Sequence, residues 1–336
     1  MIGHPAPARM VHSRRLPVCI CTDVGYDPDD LLALILAAIA LPLRLVVTSD
    51  EFGGGERARL ARYLLNLCGR TGVVVVAGKE IEGAHARWVC DGLVPADFPP
   101  PSLSINGSIV ESVRAVLGDN HRAAWLGIGP LTNLAWVHKA APELARRLEI
   151  TLMGGGLAEF YRDPSRASHN PRLDPASALA VWTARDLDLS LVTSDITYTP
   201  QTEITRDSKI FQLLAANNTP PWAQLVAAGY SRWFARKHEG SKAADPLALT
   251  ALAGQRFVTF ENKRVAIDER ARMQLDPSGI EMRMSTGADY DRFLAWITMV
   301  VQHALDFGTG YDPSLLGRLS TTPRSAATAG PLGARS

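Results

Sequence analysis

The chain is poor in the features that mark several protein classes. Only four of its 336 residues are cysteine. Cys19, Cys21, Cys68 and Cys90 have neither the density of a disulfide scaffold nor the spacing of a zinc site, so reduced structural thiols in a cytoplasmic protein are expected. Net charge is also nearly absent: 35 Lys and Arg stand against 34 Asp and Glu. That balance gives no electrostatic footprint for a nucleic acid or a membrane surface. Long apolar runs are missing too. The longest, residues 31–43, covers about 13 residues, whereas a bilayer needs about 20. The glycine triplets at 53–55 and 154–156 lack both the GxGxxG pattern and a Walker lysine, so turns or close packing explain them better than nucleotide binding. Residues 1–16 carry Arg9, Arg14 and Arg15 without an apolar core. They read as a mobile leader, not a secretory signal.

What the sequence does have is alternation. Residues 17–22 (PVCICT), 43–48 (LRLVVT), 73–77, 123–128, 148–153 and 187–193 read as strands. Between them, 29–40, 56–67, 109–117 and the segments opened by GPLTNLA and by Asp174-Pro175 read as helices, the last with an Asp cap and a Pro at its first position. This order predicts an α/β fold: a mostly parallel open sheet with helices on both faces and a ligand at the carboxyl ends of the strands. After residue 197 the pattern turns helical, over 222–237, 246–252 and 290–305, with short strands at 264–267 and 280–284. The proline-rich stretch 91–104 lacks periodicity and reads as an ordered excursion or lid. Nothing divides the chain, so one domain over 17–318 is expected, followed by a disordered tail over 319–336.

The most informative segment is TDVGYDPDD at 22–30, which packs Asp23, Asp27, Asp29 and Asp30 into the first strand-to-helix loop. Carboxylates this close repel, and each raises its neighbours' pKa unless a cation sits among them. Helix capping by Asp27 or Asp29 accounts for one or two acids, not four. A shell of carboxylate and carbonyl oxygens suits calcium, whereas zinc would call for His or Cys.

This loop resembles the signature of the inosine-uridine nucleoside hydrolase family, an Asp-rich stretch of the form DxDxGxDD directly after the first strand. The resemblance continues in order through GPLTNLA at 129–135, LMGGG at 152–156, HNPRLDPASA at 169–178, SDIT at 194–197, ADPLALTAL at 244–252 and DYDRF at 289–293. It implies calcium-dependent hydrolysis of the N-glycosidic bond of a ribonucleoside or modified nucleoside. The implied metal ligands are Asp23, Asp30, the Ile128 carbonyl and Asp245. The metal would also hold the ribose 2′ and 3′ hydroxyls, which fall beside Asp29, and the attacking water. An aspartate of the loop would be the general base, a role assigned to Asp23. Asp27 is the alternative, because Asp27-Pro28 adds two residues to the family's loop. The resemblance also implies a homodimer or homotetramer. The chemistry is coherent, since bond cleavage develops oxocarbenium-like charge that nearby carboxylates stabilise.

The match breaks on the substrate side. Where the family has a Glu and an Asn that hold ribose, this chain has Ser168 and Asn170; where an Asn ends the second strand, it has Asp50-Glu51-Phe52, and Glu51 is offered as a substitute hydroxyl ligand. The family's His before the late Asp is Ala244. Leaving-group help would then come from His238, with Glu239 and Tyr230 as further candidates. Trp88 stands where a His precedes DGL and could stack on a base. A polar site that has lost partners discriminates against its old substrate, so weak activity on standard nucleosides is expected. Two rivals are weighed: a non-catalytic descendant that binds calcium and a ribosyl ligand, and a haloacid-dehalogenase-like phosphatase, whose DxDxT or DxDxS pattern is lacking.

Overall fold

The computed structural model describes residues 16–99, 108–161, 163, 165–236 and 238–317. Residues 1–15 of the expected leader, 100–104 of the excursion and the expected tail over 319–336 lie outside the described residues.

The six alternating strands form in the expected places: β1 (Val18–Thr22), β2 (Leu43–Thr48), β3 (Val74–Val76), β4 (Ala123–Gly127), β5 (Leu148–Met153) and β6 (Asp188–Val192). They pair in parallel in the order β6-β5-β4-β1-β2-β3. The strands expected at 264–267 and 280–284 also form, as parts of longer ones, and three further short strands were not foreseen. β7 (Glu203–Thr205) and β8 (Gly240–Lys242) form a separate antiparallel pair, while β9 (Val258–Ile267), β10 (Met273–Leu275) and β11 (Ile280–Ala288) extend the main sheet to nine strands. β11 lies parallel to β6 and antiparallel to β9. Three residues are too few to display a period of two. On β9 and β11 the charges Glu261, Lys263, Arg264 and Glu281 blur it.

Within the parallel sheet, residues of β1 alternate between two apolar layers. Val18 and Ile20 join one, Cys19 and Cys21 the other. All four cysteines are free and buried, and burial pushes each thiol up to about 12. Among the described residues no helix is long and apolar enough to cross a membrane.

Two features aim the fold at one place. β1 has β2 on one side and β4 on the other, so successive crossovers run in opposite directions and leave a crevice above the carboxyl end of β1. The helix that follows, Asp29–Ala40, has every one of its 12 residues buried. It is apolar all round, as a helix enclosed by other elements must be. Each of its Leu and Ile side chains contributes about 1.5–3 kcal/mol by leaving water. That burial carries Asp29 and Asp30 into the protein with the helix.

The loop between β1 and this helix is fastened by a buried cation. Arg57, fully enclosed on the helix Glu56–Leu67, donates to the backbone oxygens of Asp23 (2.6 Å), Val24 (3.1 Å), Asp50 (2.8 Å) and Arg87 (2.8 Å). It also pairs with Asp50 at 2.9 Å, and Arg87 closes on the same carboxylate at 2.6 Å. Removing one member of such a network strands the others without partners. Arg57→Met should therefore lower the free energy of unfolding in urea by about 3–5 kcal/mol. A loss under about 1 kcal/mol, the range of an exposed ion pair, would contradict this account.

Candidate active site

Two helices point their N-termini at the crevice. One begins with Asp29 and Asp30, the other, Ala244–Leu252, with Asp245 at its second position. A carboxylate oxygen from each of the three lies within 4.8 Å of the others. The Asp245 amide donates to Asp29 Oδ2 at 3.1 Å, and the Thr22 hydroxyl donates to Asp30. The positive ends of two helix dipoles favour negative charge here, but they do not neutralise three buried carboxylates. None of the ion pairs among the described residues includes Asp29, Asp30 or Asp245. A buried acidic set with oxygen-only donors fits a hard divalent cation.

The protonation behaviour follows from burial. Burial, then mutual repulsion, raises Asp29 and Asp245 well above the usual carboxylate range; burial and the charge of Asp23 do the same to Asp30, against the Thr22 hydrogen bond. Asp27 is raised to about 7 by burial, opposed by hydrogen bonds to Ser241 and Asp29. Asp23 is raised by burial too, opposed by Arg57 and His169. His169 itself is held low by burial, although Asp23 pulls it the other way.

A cavity of about 350 Å³ opens over the triad, within the range of small-ligand sites. Of the residues singled out from sequence, Asp23, Asp27, Asp29, Asp30, Ile128, Ser168, Asn170, His238 and Asp245 all line it. The Ile128 carbonyl accepts from Asn170 Nδ2 at 2.9 Å, which ties the end of β4 to the helix His169–Leu173. Ser168 Oγ accepts from the Gly155 amide at 2.9 Å. His238 lies flat on Trp233, with ring centroids 3.9 Å apart.

Two expectations are corrected. Glu51 does not line the cavity: its carboxylate accepts from the backbone amides of Arg57 (3.2 Å) and Ala58 (2.7 Å) and from the Thr48 hydroxyl. It caps the helix Glu56–Leu67, and its oxygens are spent on that task. Trp88 does not line the cavity either. Its ring fills the space behind the acidic loop where a Cβ on Gly25, at φ 111°, would lie only 2.2 Å away. It packs edge-on against Phe52 at 5.2 Å.

The cavity also contains residues that sequence reasoning passed over. His169 approaches Asp23 Oδ2 to 4.0 Å and stacks on Tyr26 at 5.9 Å. Trp233, Ser241, Glu203 and Lys242 complete the opposite wall. His169 was within reach, being next to Asn170 in a quoted motif. β7 and β8 carried no signal.

The motifs themselves are largely structural. Asn133 of GPLTN bridges the Thr48 carbonyl (2.8 Å) and the Lys79 amide (3.1 Å), while Thr132 donates to Asp174 at 2.6 Å. Asp174 in turn caps the helix Pro175–Thr183 through the Ser177 amide.

Comparison with known proteins agrees with this geometry. The family model described as inosine-uridine preferring nucleoside hydrolase matches residues 18–295. A pyrimidine-specific ribonucleoside hydrolase RihA from Shewanella woodyi is 27% identical over 225 residues, 63% of this chain and 69% of that protein. Another RihA, from Enterobacter sp., is 24% identical over 289 residues, 81% of this chain and 90% of the relative. A solved inosine-uridine preferring nucleoside hydrolase from Bacillus anthracis superposes with a TM-score of 0.70 at 17% identity, covering 86% of this chain and 99% of its own. The chain belongs to the inosine-uridine preferring nucleoside hydrolase family, a family of metal-dependent N-glycosyl hydrolases.

The raised carboxyl groups make a pH prediction. With Asp27 at about 7 against an ordinary value of 3.8, and its neighbours shifted the same way, the folded chain binds more protons than the unfolded chain across that window. Stability without a cation therefore falls as pH rises through it. A divalent cation replaces those protons, so calcium should raise Tm more at about pH 8 than at about pH 5. Equal increments in differential scanning fluorimetry would refute the cluster as the cation site.

Proposed function

We propose that the protein uses calcium to cleave the N-glycosidic bond of a ribonucleoside or modified nucleoside with water. The observation that carries this reading is the triad of Asp29, Asp30 and Asp245 beside Asp23 in a cavity of nucleoside size. Asp30, Asp245, Asp23 and the Ile128 carbonyl would hold the cation. When bound, calcium supplies positive charge that orders sugar hydroxyls and water, although it acidifies water far less than zinc does.

The proton therefore has to go to a side chain. Asp23 takes it, since its carboxyl faces the cavity and burial raises its basicity. Asp27 is the weaker choice: its carboxyl is engaged by the Ser241 hydroxyl and by Asp29, so it positions the loop. The carboxylates also stabilise positive charge developing on the sugar. Asp29, Ser168 and the Oδ1 of Asn170 would receive the sugar hydroxyls. The nucleobase then lies toward Tyr26 and the stacked Trp233 and His238. The same reading puts the protein in the cytoplasm, where its four unpaired cysteines stay reduced, as a homodimer or homotetramer.

The test is a calcium-supplemented screen of purine, pyrimidine and modified nucleosides, following free base by chromatography and reducing sugar in parallel. Asp23→Asn and Asp245→Asn should each lower kcat by about 10³-fold or more. Wild-type rates in both variants would overturn the site. Stabilisation by a nucleoside with no base release would point to a binding protein instead.

A further inference from the structure

The cavity is lopsided in charge. One wall holds the carboxylates, yet cleavage also builds negative charge on the departing base. In hydrolysis the C1′–N bond breaks with its electron pair left on the base nitrogen. A C1′–O bond forms from water, and water's proton passes to Asp23. The base carries the negative charge until solvent protonates it. Ala244, which lines the cavity next to Asp245, has no polar side chain to meet that charge.

Among the described residues lining the cavity, Lys242 is the only lysine or arginine. It stands at the end of β8, three residues before Asp245. Its Nζ lies 3.0 Å from Glu203 Oε2, its cross-strand partner on β7, and 5.6 Å from the Tyr198 ring centroid. The side chain is 17% exposed. The pair thus places a positively charged side chain, partly shielded from solvent, on the wall of the ligand cavity.

The surroundings are built to hold it. A Cβ on Gly240 would meet Glu203 Cγ at 2.4 Å, so a larger residue there would displace the Glu203 side chain from its place beside β8. The Gly240 carbonyl accepts from Trp233 Nε1 at 2.9 Å, which fixes the ring that stacks with His238 beside the lysine.

We infer that Lys242, held in place by Glu203, is the residue that stabilises the departing base as it becomes anionic. This inference rests on the hydrolase reading above. It predicts a preference for nucleosides whose bases leave as stabilised anions and offer a carbonyl acceptor to the ammonium, such as lactam-type bases.

The experiment compares two substrates in calcium buffer: the best nucleoside from the screen, and 4-nitrophenyl β-D-ribofuranoside, whose phenolate leaves without help. Lys242→Met should lower kcat/KM about 100-fold on the nucleoside and less than about threefold on the nitrophenyl riboside, with Lys242→Arg recovering most of the loss. Equal losses on both substrates, or no loss on either, would overturn the assignment while leaving the hydrolase reading intact. A wild-type protein that cleaves neither substrate would overturn both.

Discussion

Carboxyl groups held out of water and close together resist being charged, and the architecture around β1 is organised by that resistance. Asp29, Asp30 and Asp245 converge because two helices end at the same crevice, and those helices are apolar enough to be enclosed. Helix dipoles, the Thr22 hydroxyl and backbone amides each offset part of the repulsion. What they leave uncompensated is a set of carboxyl groups whose pKa values stay raised. Arg57 is the complementary device. It satisfies the backbone of the acidic loop from behind, spends its charge on Asp50, and so holds the loop without neutralising the cluster.

Much of this was legible in the sequence because the strongest signals were local. Four aspartates in nine residues, directly after a β-rich run, announce both a strand end and an acidic cavity wall, and the six alternating strands follow from period and punctuation alone. Asp245 was reached by resemblance, since nothing within its own helix says that it faces Asp29. The failures share one cause. Glu51 and Trp88 were read as ligands because they sit near motif positions, but whether a side chain turns toward the cavity or toward a helix N-terminus is decided by tertiary packing. Glu51 found backbone amides to accept from, and Trp88 found the bare face of Gly25.

The two walls of the cavity were therefore unequally readable. The acidic wall is made by strand ends and helix starts of the parallel sheet, whose sequence patterns are long and regular. The aromatic wall is made by Trp233, His238 and the β7–β8 pair, whose strands have three residues each. Their placement depends on contacts such as Trp233 Nε1 to the Gly240 carbonyl rather than on any period. Chemistry held on irregular elements can change without disturbing the sheet, which fits a chain that keeps the acidic set and departs from the family's pattern elsewhere.

The hydrogen bond from the Asp245 amide to Asp29 joins residues 216 positions apart. A nascent chain therefore carries the first acidic loop through most of its synthesis before the second helix exists to meet it. The full acidic set belongs to the last stage of assembly, and a chain cut short before Asp245 would lack both its third carboxyl group and the amide that Asp29 accepts from. The convergence thus doubles as a mark of completion: only a chain made past Asp245 can bring all three carboxyl groups together.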